Sequence, residues 1–153
     1  MGDCLKVDTP VNKMLVAIDG SEAATKALNY ALSLAEKCDA EVQIVSVVQT
    51  IDSIMPSSPH MLYASLIYDM EKSVETILSE ALKVAREKKP KLKVSTRLLK
   101  GRPTDEIVYM AKEESFDIIV VGSRGLSGAE ELFLGSVSDR VADKATCPVL
   151  IVK

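Results

Sequence analysis

Ile118-Ile119-Val120-Val121-Gly122-Ser123-Arg124-Gly125-Leu126-Ser127-Gly128, continued by Gly135-Ser136-Val137-Ser138, is the stretch on which the reading of this chain turns. The four leading residues form an unbroken apolar run, as expected of a strand buried on both faces. Glycines follow, and helical spacing begins at Gly135-Ser136. Glycine lets backbone N–H groups approach an anion with no Cβ in the way. A helix start adds unpaired N–H donors and the positive end of the helix dipole. Strand, glycine loop and helix start together suit a phosphate, although the same order also serves as an ordinary connection in an α/β domain.

Upstream, Met14-Leu15-Val16-Ala17-Ile18 reads as another buried strand, closed by the turn signal Asp19-Gly20. Ser21 can cap the next helix with Ala24 at its third position, so a full capping box is missing. Ala24, Leu28, Ala31, Leu32 and Ala35 recur at spacings of three and four, predicting an amphipathic helix to about Lys37. Glu41 to Val48 is a β-branched strand. The prolines, serines and aspartate of 50–60 predict a flexible loop. Met61 to about Lys89 is helical, with Leu66, Met70, Val74, Ile77, Leu78, Ala81, Leu82 and Ala85 on one face and Glu71, Glu75, Glu80 and Lys83 on the other.

Val94 to Leu99 alternates apolar and polar residues, as a strand nearer a sheet edge does. Gly101-Arg102-Pro103 ends it, and Thr104 is expected to cap a helix whose apolar face is Ile107, Val108 and Ala111. A strand over Asp117–Val121, a helix over Ser136–Lys144 and a last strand over Val149–Val152 complete the chain. Five strands alternating with four helices predict an α/β domain with a mainly parallel open sheet and helices on both faces. Ligands in such sheets sit beyond the strand C-terminal ends where the winding reverses. If the first strand is central, Asp19 and Gly122 meet at that crevice.

The length of 153 residues fits a single domain over 1–153, with residues 1–12 expected to be poorly ordered. The hydrophobic fraction of 47% and charged fraction of 27% are those of a globular domain, and the net charge of -3 carries no basic run for nucleic acid. No apolar stretch approaches the ~20 residues that span a bilayer, and the N-terminus lacks a signal-peptide core. Cys4, Cys38 and Cys147 are odd in number and lack CxxC spacing, which argues against a disulfide framework or a zinc site. The lone histidine, His60, removes most histidine-based catalysis. The cytoplasm is the expected compartment.

Several familiar motifs are missing. There is no Gly-Lys-Ser or Gly-Lys-Thr, so this is not a Walker A loop. The glycines follow the fourth strand at Gly-x2-Gly-x2-Gly spacing, unlike a dinucleotide fingerprint. No Gly-x-Ser-x-Gly elbow occurs. What does occur is Gly122-x2-Gly125-x9-Gly135-Ser136, with Asp19 ending the first strand and Cys147-Pro148-Val149-Leu150-Ile151-Val152 at the end. From Lys13 to Lys153 this pattern resembles the universal stress protein family, in its ATP-binding, glycine-motif branch.

The resemblance implies an open five-stranded parallel sheet of order 3-2-1-4-5, of the adenine nucleotide alpha hydrolase-like kind. It also implies a homodimer in which the last strands, Val149, Leu150, Ile151 and Val152, pair antiparallel. An apolar edge strand left bare would be an aggregation liability. The implied ligand is ATP or AMP, with Mg2+ or Mn2+ accompanying ATP. By position, Ala17, Ile18 and Asp19 would line the nucleoside, with Asp19 near the ribose or a divalent ion. Val47 would lie against adenine. Gly122, Arg124 and Gly125 would wrap ribose and phosphates, and Gly135, Ser136, Val137 and Ser138 would offer donors at the helix start. Glu130 and Glu131 would oppose a triphosphate unless a metal ion intervened, letting AMP or ADP compete with ATP. The expected role is a nucleotide-binding stress-response regulator. The alternatives are a slow or partner-dependent ATPase, which needs more than Asp19 and Arg124, and an interaction module without nucleotide.

Overall fold

A computed structural model describes residues 10–50, 63–126 and 134–153. Cys4, His60, Glu130, Glu131 and most of the N-terminal segment and of the 50–60 loop fall outside the described residues. The described elements are β1 (Lys13–Ala17), α1 (Glu22–Cys38), β2 (Glu41–Val48), α2 (Tyr63–Lys88), β3 (Val94–Lys100), α3 (Pro103–Glu113), β4 (Ile118–Gly122), α4 (Ser136–Lys144) and β5 (Val149–Val152). The sheet order is β3-β2-β1-β4-β5, and every neighbouring pair is parallel. The expected 3-2-1-4-5 winding is therefore the observed one, with β1 at the centre.

The central register explains the unbroken apolar runs. Val16 stands between Ile44 of β2 and Val120 of β4. Alternation along each strand then divides the core in two. Met14, Val16, Ile44 and Val120 face α1 and α2, whose Ala27, Ala31, Leu32 and Ala85 are fully or almost fully buried. Leu15, Val45, Ile119 and Val121 face the other way, toward Ile107 and Met110 of α3 and Val141 of α4. The small residues of α1 let that helix lie close to β1 and β4. At the strand N-terminal ends, Asp117 accepts from the backbone N–H groups of Asn12 (2.7 Å) and Lys13 (2.8 Å), which fixes where β1 begins.

Two details differ from the sequence expectation. Thr104 does not cap α3. The cap is Arg102, Pro103 occupies the first turn, and Thr104 is buried inside the helix. Proline has no N–H to satisfy and its φ is preset for a helix, so the start moves upstream of the hydroxyl residue. Leu66 is not part of the buried face of α2, being 50% exposed. Only from Leu78 onward does that face hold buried residues, Leu78, Ala81 and Ala85. Before that point the stripe is partly buried, with Val74 and Ile77 packed against the edge of the same core.

Candidate functional site

The strand C-terminal ends of β1 and β4 are tied together by the turns that leave them. Gly20, at φ +86°, turns the chain away from β1. Asp19 then accepts from Ser21 N–H through Oδ1 (2.9 Å) and from Leu126 N–H through Oδ2 (3.1 Å). Ser21 Oγ accepts from Ala24 N–H (3.2 Å) as the expected cap of α1 and lies 3.4 Å from the carbonyl oxygen of Arg124, to which it donates. One short turn after β1 therefore fixes the loop after β4.

The glycines serve this packing. A Cβ on Gly122 would lie 2.7 Å from the carbonyl carbon of Ala23 and 2.8 Å from the Ala24 nitrogen, so the bare backbone admits the first turn of α1. A Cβ on Gly125 would meet Asp19 Oδ2 at 2.6 Å. At the far end of the loop, Gly135 N–H donates to the Ser123 carbonyl (2.7 Å). The Ser138 hydroxyl lies 3.1 Å from that same oxygen and 2.9 Å from the Gly135 carbonyl. Two donors expected to face a phosphate are thus engaged inside the loop. No side chain caps α4, so the first-turn N–H groups of Ser136, Val137 and Ser138 are those a helix leaves without an intrahelical acceptor.

Above these strand ends lies a cleft of about 550 Å³. Ala17, Ile18, Asp19, Val47, Gly122, Arg124, Gly125, Gly135, Ser136, Val137 and Ser138 all line it, so the fold gathers every expected site residue around one space. Sequence reading missed the wall opposite. Asp69, Met70, Ser73, Val74 and Ile77 of α2 line the same cleft, as do Ser46 and Gln49 at the end of β2. Their signal is the early part of the α2 apolar stripe, Met70, Val74 and Ile77, which periodicity alone places on one helix face.

The cleft has two chemical ends. Toward β2 and α2 it offers the apolar side chains of Ile18, Val47, Met70, Val74 and Ile77 beside the polar Ser46, Gln49, Asp69 and Ser73. Toward β4 and α4 it holds Arg124 and the α4 first turn. The last bond between β1 and β2 runs from Ile18 N–H to the Val45 carbonyl (2.9 Å). Beyond it β1 turns away while β2 continues to Val48, and strand alternation directs the Val47 backbone groups to the gap that opens. The described lining residues include Asp19, Asp69 and Arg124 but neither lysine nor histidine. No three His, Cys, Asp or Glu side chains converge among the described residues. A divalent cation at Asp19 would draw its other oxygen ligands from a bound phosphate or water, as Mg2+ commonly does.

Comparison with known proteins identifies relatives across almost the whole chain. The universal stress protein family model matches residues 10–153. The universal stress protein YxiE of Bacillus subtilis (strain 168) is 40% identical over 151 residues, covering 93% of this chain and 99% of that protein. Among solved structures, the universal stress protein UspA from Lactobacillus plantarum superposes with a TM-score of 0.80 at 22% identity, covering 95% of this chain and 99% of its own, a likeness of fold. A universal stress protein solved in complex with cAMP has a TM-score of 0.72 at 28% identity and covers 95% of this chain and 99% of its own. Among the described residues no helix is long and apolar enough to cross a membrane.

Proposed function

This chain belongs to the universal stress protein family, and we propose that it binds an adenine nucleotide in the cleft above β1 and β4 and acts as a cytoplasmic regulator of the stress response. One observation carries the reading: a single cleft has an apolar slot at its β2–α2 end and anion-suited donors at its β4–α4 end. Neighbouring strands lie about 4.8 Å apart, so β2 and β4, on either side of β1, put the two ends roughly 10 Å apart. That separation suits a base at one end and a phosphate at the other. The relative solved with cAMP supports the same class of ligand.

In this reading adenine lies against Val47 and hydrogen-bonds its backbone. Ala17 and Ile18 border the nucleoside. Arg124 pairs with phosphate, and the first turn of α4 donates to it. Gly122, Gly125 and Gly135 hold these parts at the required spacing. ATP or AMP is the ligand, with Mg2+ or Mn2+ bridging a triphosphate to Asp19. A carboxylate that already accepts two N–H groups retains lone pairs for such an ion. Phosphoryl transfer also needs a positioned nucleophile and charge stabilisation, and the described cleft offers Asp19 and Arg124 for that work, so regulation is favoured over turnover.

The test is a thermal unfolding titration with ATP, AMP and GTP, with and without magnesium, after removal of co-purified nucleotide. A ligand at 100 times its Kd adds about 2.7 kcal/mol, which for a domain of this size raises the midpoint by roughly 5–10 °C. An adenine-selective rise of that order is expected. No rise with any nucleotide would sink the proposal and leave an interaction module on the same fold.

A further inference from the structure

We propose that Ser46 is a specificity-determining residue of this cleft that reads the nucleobase, an inference that rests on the nucleotide reading above. Ser46 interrupts an otherwise aliphatic run, Ile44-Val45-Ser46-Val47-Val48, near the end of β2. Alternation puts its side chain on the face of Val42 and Ile44, which are 1% and 0% exposed. Ser46 is itself only 3% exposed and lines the cleft.

Two buried hydroxyl residues line this space, and they differ in one respect. The Ser138 hydroxyl is held by the Ser123 and Gly135 carbonyls. The Ser46 hydroxyl makes no hydrogen bond among the described residues, while its residue borders the cleft. Among the described residues the only side-chain nitrogen or oxygen sealed without a partner is Gln43 Nε2, so the Ser46 oxygen is not shut off: it opens into the cleft, where water or a bound ligand can meet it.

Position decides which part of a nucleotide that is. The phosphate donors stand at β4 and α4, two strand spacings or roughly 10 Å from β2. A ligand anchored there by phosphate reaches Ser46 with its base. The wall here brings Ile18, Val74 and Ile77 together with Gln49, Asp69 and Ser73, and of the polar residues at this end Ser46 is the buried one. Being both donor and acceptor, it can bond an edge nitrogen of adenine beside the contacts made by the Val47 backbone. A change at that edge, such as the 6-oxo group of hypoxanthine, exchanges a donor for an acceptor and alters the match.

The experiment compares wild type with Ser46→Ala by calorimetric titration of AMP and IMP, together with thermal unfolding of the free proteins. The free variant should unfold near the wild-type temperature, since the hydroxyl has no hydrogen bond among the described residues to lose. Its AMP affinity should fall roughly three- to tenfold, the range of one neutral hydrogen bond, and the AMP-to-IMP preference should shrink. Ser46→Cys, which keeps the volume with a weaker hydrogen-bonding group, should lie between the two and serves if the alanine variant folds poorly. Unchanged AMP affinity would overturn the proposal, as would an equal loss for AMP and IMP. If wild type binds neither, the nucleotide reading itself has failed, and a lower unfolding temperature for free Ser46→Ala would mark the hydroxyl as structural.

Discussion

Gly122 and Gly125 stand three residues apart in one loop and are glycine for different reasons. The obstacle to a side chain at 122 is the backbone of α1 at Ala23 and Ala24, which cannot move without shifting the helix. At 125 it is the carboxylate of Asp19, the end of a side chain. Both alanine substitutions are overpacking changes, which cost about 1–3 kcal/mol. Gly122→Ala should fall at the upper end or beyond and Gly125→Ala at the lower, as read by urea unfolding midpoints at unchanged slope. Equal costs would contradict this assignment. A loss of ligand binding in either variant would report the distorted loop, so Arg124 and Ser46 are better probes of the cleft itself. Gln43 offers the opposite case. Its Nε2 is buried without a partner, while its Oε1 accepts from the exposed Ser95 hydroxyl (2.8 Å). Replacing it by leucine removes the orphaned donor and leaves Ser95 open to water, so Gln43→Leu should be neutral or stabilising by up to about 1 kcal/mol.

The start of α1 couples local helix chemistry to the site. Ser21 caps the helix and also donates to the Arg124 carbonyl. Loss of a cap alone costs about 1 kcal/mol. Ser21→Ala should exceed that figure, and Ser21→Thr, which keeps the hydroxyl, should restore most of it; identical losses in both would show that the hydroxyl is not the cause. This cap was legible in sequence because Ser21 directly precedes the apolar spacing of α1. The strands were legible for a similar reason, since central parallel strands favour apolar runs: Met14–Ala17 and Ile118–Val121 are unbroken, and Val42–Val48 is β-branched apart from Gln43 and Ser46. The start of α3 was not, because Arg102-Pro103 and Thr104 are competing start signals and proline geometry prevailed. The α2 wall was illegible for a different reason. Periodicity marks Met70, Val74 and Ile77 as apolar, but whether an apolar side chain meets a sheet or a cleft depends on where the strands stop. The role of Gly122 was hidden in the same way, since a clash with α1 is a tertiary fact.

At the scale of the molecule, the short connection between α4 and β5 adds a pH term. Burial pushes the Cys147 thiol up. The folded protein then holds that proton more tightly than the unfolded chain does. The resulting stability is fully present below the unfolded thiol pKa of about 8.5 and is lost as pH rises through the folded value. Cys147→Ala should flatten the alkaline part of a stability profile above about pH 8.5 and leave its neutral part parallel to wild type. An unchanged alkaline slope would exclude this thiol as its source.

The outer side of β5 bears on assembly. Among the described residues β5 pairs only with β4. Its inward groups are identified by two bonds, Ser123 N–H to the Val152 carbonyl (2.7 Å) and Ile119 N–H to the Pro148 carbonyl (3.0 Å). Alternation then points the N–H and carbonyl groups of Val149 and Ile151 away from β4. Val149, Leu150, Ile151 and Val152 are all only partly buried. A flat apolar edge of this kind invites another strand, and the proposed occupant is β5 of a second copy. Proline distinguishes the two sides because it removes one N–H. Ile151→Pro deletes an outward donor and spares the β4 ladder, whereas Leu150→Pro deletes an inward one. Light scattering after size exclusion should find wild type as a dimer with a concentration-dependent unfolding midpoint. Ile151→Pro should be a folded monomer whose midpoint no longer depends on concentration, and Leu150→Pro should lose stability outright. A monomeric wild type, or an Ile151→Pro dimer as tight as wild type, would rule out this edge as the contact.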